Sequence, residues 1–333
     1  MAALGAPQYT ELIASTLEKI EANLVDQVFE KHPTLDILKK YAKPAGGRNL
    51  VLNIEAAEDD NTVLTDGSGT FALTKSPDIV GSAVFDWSSP YVSKIRVEWM
   101  KLQKNTGKEA IVNLLEAHVE NVKKSHAKRL VAGLHKAAGD LTSGEYLSLD
   151  ALVGDGASDL AAGVTVGGIV TNDEDEDTPA AIADHFWQAS RVTSSKGDET
   201  IRKGVRRLRN QITLNSGGYA EVSHIIAGLD VFEEYEDSFD DKVRYVDFDK
   251  GQTRFRAIWD GDIEVRLDPD CAADRAYFLD ASALRFQNLN GNFMKVHPAQ
   301  SIQGTFDFIT PVASVLAIGT NARRNHGLLI RTA

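Results

Sequence analysis

A strand that passes directly into one long helix constrains this chain more than any other part of its sequence. From Tyr91 to Lys101 apolar and charged residues alternate, with Ile95 facing one way and Arg96 the other, which is the period of a half-buried β-strand. The run Thr106-Gly107-Lys108-Glu109 then has the spacing of a capping box. No proline interrupts the chain from there to Ala138. About 30 helical residues make a rod of roughly 45 Å, so the pattern predicts a helix that spans the subunit.

The composition is that of a globular chain with an acidic surface. Its 333 residues are 43% apolar, enough to bury a core and to divide into two or three compact units. Lys and Arg number 36 against 48 Asp and Glu, and the formal charge of -12 argues against attraction to nucleic acid as the main binding mode. Cys271 is the only cysteine, which excludes an intrachain disulfide and suits a reducing cytoplasm. No secretory signal and no membrane span are expected.

The segments before this unit predict an N-terminal arm followed by a β-hairpin. Helices are predicted over Thr10–Glu30 and Leu35–Tyr41, a hinge over Pro44–Gly47, and strands over Asn49–Glu55 and Asp78–Trp87. The run Asp66-Gly67-Ser68-Gly69 is typical of a loop tip. An isolated two-stranded ribbon is marginal in water. We therefore expect this hairpin to lie on a neighbouring surface, such as another copy of the chain.

After the long helix, helix and strand alternate and the chain then becomes rich in strands, an α+β pattern. Helices are predicted over Thr200–Leu214 and from Asp230, as N-cap, to Phe239. Strands are predicted over Val222–Ala227, Val243–Phe248, Thr253–Trp259, Ile263–Leu267, Arg275–Leu279, Asn292–His297 and Val312–Ile318. The five adjacent carboxylates from Asp173 to Asp177 predict a solvated loop, since they repel one another.

A search for reactive motifs finds none that is complete. The sequence has no phosphate-binding loop, no dinucleotide fingerprint, no H-E-x-x-H and no G-x-S-x-G. Ser125 to Lys128 has S-x-x-K spacing but lies mid-helix without its partner motifs. His118 and His126 are roughly 12 Å apart along one helix, too far to share a metal, and Asp173 to Asp177 lacks the glycine and distal glutamate of a calcium loop. Cys271 has no basic neighbour and is expected to be inert. These observations predict no enzyme, no cofactor and no metal.

One predicted helix carries an unusual concentration of positive charge. Its basic residues are Arg202, Lys203, Arg206, Arg207 and Arg209. Like charges four residues apart on a helix are mutually unfavourable. A carboxylate surface of a neighbouring subunit would relieve them, for example the one formed by Glu233, Glu234, Glu236 and Asp237. The alternative is a basic face that is simply solvated.

Taken in order, these parts resemble the major capsid protein of tailed bacteriophages, which has the Hong Kong ninety-seven type fold. The resemblance covers most of the chain and rests on Gly47–Val51, Ala83–Trp87, Thr106–Glu116, Val222–Tyr235, Ala276–Leu279 and Ala322–Leu328. It implies an N-terminal arm over 1–45 and an extended β-hairpin, the E-loop, over 46–90. It further implies a peripheral domain over 91–145 and 286–333, with a spine helix at about 107–138, and an α/β axial domain that takes up most of 146–285.

The function implied by this resemblance is self-assembly into the hexamers and pentamers of an icosahedral virion shell. The shell would enclose double-stranded DNA without sequence-specific binding and would assemble in the host bacterial cytoplasm, away from membranes. The implied partners are a portal protein, decoration proteins and a separate scaffold, with assembly without any scaffold as the alternative. The chain is expected to stay uncleaved, because a spine helix starting near residue 107 leaves no room for a large N-terminal scaffolding domain. Two alternatives stay open: an encapsulin-type nanocompartment shell, and a soluble α/β enzyme that uses residues 146–285.

The candidate intersubunit contacts combine the hairpin with the charged helices. Some relatives cross-link an E-loop lysine to an asparagine of a neighbour, and Lys75 is the only lysine between residues 46 and 90. The candidates are Arg48, Asp66, Lys75, Arg202, Lys203, Arg206, Arg207, Glu233 and Glu234.

Overall fold

The chain forms a mixed structure of helices and sheets. The computed structural model describes residues 32–55, 80–97, 108–154, 165–170, 187–218, 220–238, 257–260, 263–298, 300–301 and 307–332. The described helices are α1 (Pro33–Lys40), α2 (Lys108–Leu134), α3 (Leu149–Val153), α4 (Ile201–Asn215) and α5 (Leu229–Asp237), with 3-10 turns at Ala138–Asp140 and Arg323–Asn325. The predicted helix Thr10–Glu30, the carboxylates Asp173 to Asp177, the strand Val243–Phe248 and the capping residue Thr106 lie outside the described residues.

The strands of the described residues belong to three larger sheets and two hairpins. They are β1 (Ala42–Ala45), β2 (Leu50–Glu55), β3 (Val80–Phe85), β4 (Tyr91–Val97), β5 (Thr165–Val166), β6 (Ile169–Val170), β7 (Ser190–Ser195), β8 (His224–Ala227), β9 (Ala257–Asp260), β10 (Ile263–Leu267), β11 (Arg275–Leu279), β12 (Leu284–Leu289), β13 (Lys295–Val296), β14 (Gln300–Ser301), β15 (Phe308–Ser314), β16 (Leu316–Thr320) and β17 (Gly327–Thr332). One sheet has the order β7-β17-β11-β8-β10-β9, and a second has the order β1-β12-β16. In the third, β15 pairs with β4, β13 and β14, while β2–β3 and β5–β6 are hairpins.

The spine helix is present but ends before the predicted residue. Helix α2 has 27 residues, about 40 Å at 1.5 Å each, and it buries Ala127, Leu130 and Val131 in the main core. Residue 133 must be small because it packs against Tyr146: a Cβ on Gly133 would come within 2.6 Å of the Tyr146 hydroxyl.

None of the described helices is both long and apolar enough to cross a membrane.

The strand before the spine helix alternates as its sequence predicts. Ile95 is buried in the core, while Lys94 and Arg96 are exposed. Strand β4 pairs with β15 in antiparallel register, with Ile95 opposite Thr310. The start of the spine unit is thereby tied to a strand more than 200 residues later in the chain.

The base of the hairpin lies on a neighbouring surface, and for its described part that surface belongs to the same chain and not to another copy. Strands β2 and β3 pair in antiparallel register, and Leu50, Ile54, Ala83 and Phe85 are buried in the main core of the same chain. Gly319 permits this contact, because a Cβ there would come within 2.6 Å of the Phe85 ring. The tip of the hairpin lies outside the described residues.

Helices α4 and α5 pack on the six-stranded sheet and form a second core with it. The buried residues of α4 follow helical spacing, with Val205, Leu208 and Ile212 facing the sheet. From α5, Phe232 and Tyr235 reach the same core. The outer faces of both helices are consequently left for charged residues.

Several predicted boundaries differ from the structure for local physical reasons. The predicted strand Val312–Ile318 is two strands in different sheets, β15 and β16, separated at Val315, whose amide donates to the Asn292 carbonyl. Helix α5 starts two residues earlier than predicted: Gly228, not Asp230, takes the N-cap position, and Asp230 lies in the first turn. The basic end around Arg323 leads into β17, a buried strand of the six-stranded sheet.

Candidate intersubunit surface

The exposed face of α4 carries the basic cluster, arranged in two rows. Arg202, Lys203, Arg206 and Arg207 are all exposed, and Arg209 is half-buried. Glu199, in the turn before the helix, accepts from Arg207 at 3.3 Å and lies 3.7 Å from Lys203. Glu199 therefore partly neutralises one row, that of Lys203 and Arg207. Its pairing with Lys203 has the i,i+4 spacing that a sequence can indicate, whereas its pairing with Arg207, eight residues away, does not.

The other row of α4 borders a small cavity. This cavity of about 120 Å³ is lined by Arg202, Val205, Arg206, Arg209 and Tyr235. Tyr235 is buried between α4 and α5, whereas Arg206 is exposed. Three arginines of α4 thus line one depression together with Tyr235 of α5.

The acidic helix α5 divides its carboxylates between the chain and the solvent. Glu234 binds Arg331 through both of its oxygens, one of them at 2.9 Å from Nε. The Arg331 side chain is only 1% exposed and also donates to the Ser195 and Glu199 carbonyls at 2.9 and 2.8 Å. Glu233 instead is exposed. Glu234 is thus engaged within its own chain, while Glu233 faces solvent.

The hairpin candidates are only partly covered by the described residues. Arg48 is exposed in the turn before β2, where the Trp87 indole donates to the Gly47 carbonyl at 3.1 Å. Asp66 and Lys75 lie outside the described residues. The contact role of all three stays a prediction.

A polar seam holds α1 against the six-stranded sheet, and sequence reasoning missed it. The Asp268 carboxylate accepts from the Thr34 hydroxyl and lies 3.2 Å from His135 Nε2, at the end of the spine helix. Burial opposes the ionisation of Asp268, yet these hydrogen bonds hold its pKa at about 2. Arg266 adds a contact of 2.7 Å to Asp36 of α1. The seam joins parts of the chain more than 100 residues apart, so no local pattern predicts it.

Cys271 and His126, two of the residues considered above for reactivity or metal binding, are buried in the fold. Cys271 is buried, and desolvation raises the pKa of its thiol, which agrees with the predicted inert cysteine. His126 is buried between the Ser93 and Ser314 hydroxyls at 2.8 Å each, while Ser125 and Lys128 are exposed on α2. Within the described ranges, no group of three or more potential ligand side chains is placed to hold a metal ion.

Comparison with known proteins finds similarity only at the level of structure. No protein-family model matches the chain, and no curated protein matches it. The capsid asymmetric unit of cyanophage A-1(L) is similar over 90% of this chain and 92% of that chain, with 12% identity and a TM-score of 0.69. The capsid of a native GTA particle is similar over 89% and 90%, with 10% identity and a TM-score of 0.57.

A virus-like particle from Pyrococcus furiosus is also similar, over 97% of this chain and 99% of that chain, with 11% identity and a TM-score of 0.51. Identities this low show the fold alone. The three structures are shells or parts of shells, and their chains are covered almost from end to end. The chain therefore has the Hong Kong ninety-seven type capsid fold.

Proposed function

We propose that this chain is the major capsid protein of a tailed bacteriophage and assembles into the hexamers and pentamers of an icosahedral shell. The observation that carries the proposal is the likeness to a phage capsid subunit over nine-tenths of both chains. A likeness of that extent involves the whole architecture rather than one domain grafted onto another function. The N-terminal arm, E-loop, peripheral domain and axial domain follow the limits given above, except that β17 joins the strands of the axial domain.

The finer parts of the proposal concern partners and location. The shell encloses double-stranded DNA and belongs to a virion that assembles in the host bacterial cytoplasm. A portal protein and a separate scaffold take part in its assembly. The acidic net charge of -12 supports an inner wall that encloses DNA without adhering to it.

An encapsulin-type shell is the second candidate, favoured by the near-complete coverage of the archaeal virus-like particle. Its TM-score of 0.51 is lower than the 0.69 of the cyanophage capsid, so we place it second. A soluble enzyme has less support, because the similar solved structures described above are shells.

Electron microscopy of the purified protein tests the proposal. We expect closed particles, and nucleic acid inside them distinguishes a virus shell from a compartment that holds a cargo protein. Because a separate scaffold takes part in assembly, six- or five-membered rings without closed particles also fit a shell subunit. A protein that forms neither rings nor closed particles would reject the shell function and favour the enzyme.

Breaking the spine helix at its middle is expected to abolish assembly. Val122 lies inside α2 and packs against the main core. Val122→Pro removes a helical hydrogen bond and adds a ring clash, at a cost of about 3 kcal/mol or more. Shell yield by electron microscopy is the measurement, and Val122→Ala, which keeps the backbone intact, is the control. A normal yield from the proline variant would show that the rigid spine is dispensable.

A further inference from the structure

We propose that the outer face of strands β4 and β15 binds residues 10–30 of the same chain. The outer face comprises those side chains of β4, β15 and the adjoining strand β13 that point away from the spine helix α2. Its apolar and lysine members are Val92, Lys94, Lys295, Ile309, Pro311 and Ala313. Arg96 also points outward, but Asp307 pairs with it at 2.7 Å. The contact lies within one subunit, so it does not depend on shell formation.

The register of the sheet determines which side chains form the outer face. Residues directly opposite one another in an antiparallel pair point to the same side of the sheet, and Val92 lies opposite Ala313. The next residue of β4, Ser93, points to the other side, where its hydroxyl lies 2.8 Å from His126 of α2. One side of the sheet is therefore packed on the spine helix, and the outer face is the opposite side.

The outer face combines apolar surface with positive charge. Val92 is 50% exposed, and Pro311 and Ala313 next to it are half-buried. Lys94 and Lys295 flank them and are exposed. Within the described part of the chain, neither lysine lies within ion-pair distance of a carboxylate. A matching partner therefore needs apolar side chains at its centre and carboxylates around them.

Residues 10–30 have this composition. They include five carboxylates and a single lysine. Their apolar side chains recur at helical spacing and form one stripe of an amphipathic helix. The stripe consists of Leu12, Ile13, Leu17, Ile20, Leu24 and Val28. At 3.6 residues per turn, Glu21 and Glu30 border this stripe on either side, so carboxylates are placed to reach the lysines of the outer face while the stripe covers Val92.

The described chain begins close enough to the sheet for this contact. Thr34 Oγ1, in α1, is 3.1 Å from Nε2 of His135 at the end of the spine helix. His126, which contacts β4, is nine residues earlier, about 14 Å along the helix axis. A helix over residues 10–30 is about 32 Å long, more than twice that offset. A second copy of the chain is thus not required to deliver the segment.

Nucleic acid fits the outer face less well. Its phosphates would pair with Lys94 and Lys295, but a charged and hydrated backbone cannot remove Val92 and Pro311 from water. Burial of that apolar surface is what the stripe of residues 10–30 adds. The segment is therefore favoured by both the charge and the apolar part of the face.

Thiol labelling at position 92 tests the contact in dilute, unassembled protein. Val92→Cys places a reactive thiol on the outer face, whereas the native Cys271 is buried. A second protein adds Leu17→Asp and Leu24→Asp, which put charges into the apolar stripe. We expect maleimide to label position 92 roughly tenfold faster in this second protein, as a loss of about 1.4 kcal/mol of docking free energy gives.

Two controls separate release of the segment from other effects. Ser15→Asp with Ala22→Asp adds the same charge on the opposite side of the predicted helix and should leave labelling of position 92 slow. Leu214→Cys, made in place of Val92→Cys at a residue that is 80% exposed, should label at one rate with every version of the segment. A change in that rate would report general unfolding rather than release.

Three results would overturn the inference. Equal labelling of position 92 with the native segment and with the segment carrying Leu17→Asp and Leu24→Asp would mean that residues 10–30 do not cover it. Protection that grows with protein concentration would assign the segment to a neighbouring copy. Protection that is lost on nuclease treatment would assign the face to nucleic acid. None of these results affects the proposed shell function, which electron microscopy tests separately.

Discussion

Lowering the pH from 6.5 to 4 is expected to destabilise the folded chain steeply, because two buried histidines must take up protons. Burial lowers the pKa of both His126 and His326 to about 4. Above pH 6.5 each imidazole is neutral in the folded and unfolded states, so it causes no pH dependence. Between pH 6.5 and 4 the unfolded state binds the proton first, and stability falls. The loss is about 3 kcal/mol for each histidine, against a total of about 5 to 15 kcal/mol for a typical protein.

Burial is the main cause of the low pKa of His326, and the hydrogen bonds of its ring also require the neutral imidazole. The Asp280 amide donates to His326 Nδ1 at 3.2 Å. That nitrogen must therefore be an acceptor, and the proton is on Nε2, which lies 3.0 Å from the Thr320 hydroxyl. Thr320 in turn donates to the Ala283 carbonyl at 3.1 Å. A second proton, on Nδ1, would point at the Asp280 N–H group, so two hydrogen-bond donors would face each other at a fully buried position.

Urea unfolding at several pH values measures this effect on His126. Glutamine cannot titrate, so in His126→Gln we expect the fall in unfolding free energy between pH 6.5 and 4 to be about half of the fall in the native chain. His118→Gln is the matched control, because His118 lies on the same helix but is only half-buried. The carboxylates Asp268 and Glu264, whose pKa is about 2, lose their contribution only as pH falls from about 4 towards 2. An unchanged slope in His126→Gln would exclude the imidazole as the cause.

Sequence patterns correctly predicted those helices and strands whose signal lies within the element itself. The alternation in β4 and the proline-free run of α2 contain their signals within a few turns of chain, and β10 and β11 have their predicted bounds. Strand β17 was missed because an apolar run buried on both faces has no alternation to read. Strand β7 was missed because its serine-rich sequence becomes a strand only through its partner β17.

The charged surface was predicted only in outline, for a related reason. Sequence spacing found the crowded arginines of α4, because like charges on one helix are a local feature. It did not find that Glu234 binds Arg331, since those residues are 97 positions apart. The same limit applies to the seam between Thr34, His135 and Asp268, whose members come from three distant segments.

Removing the Arg323 guanidinium is expected to be among the most destabilising single changes in the chain. Arg323 has no solvent exposure and donates to the Leu152 carbonyl at 2.7 Å, the Trp187 carbonyl at 3.1 Å and the Gly154 carbonyl. It joins the end of α3 to the segment before β7 from more than 130 residues away. Arg323→Met keeps most of the volume but removes the donors to three carbonyls, at a cost of about 4 kcal/mol or more.

Its neighbour supplies the matched control, because sequence alone does not distinguish the two arginines. Arg324 is half-buried, and Arg324→Met should change the free energy of unfolding by no more than about 1 kcal/mol. Arg323→Lys should fall between the two, since an ammonium keeps the charge but cannot direct donors to three carbonyls as a planar guanidinium does. Urea unfolding of the three variants gives the order. Equal stability of Arg323→Met and Arg324→Met would mean that the buried guanidinium does not hold these segments together.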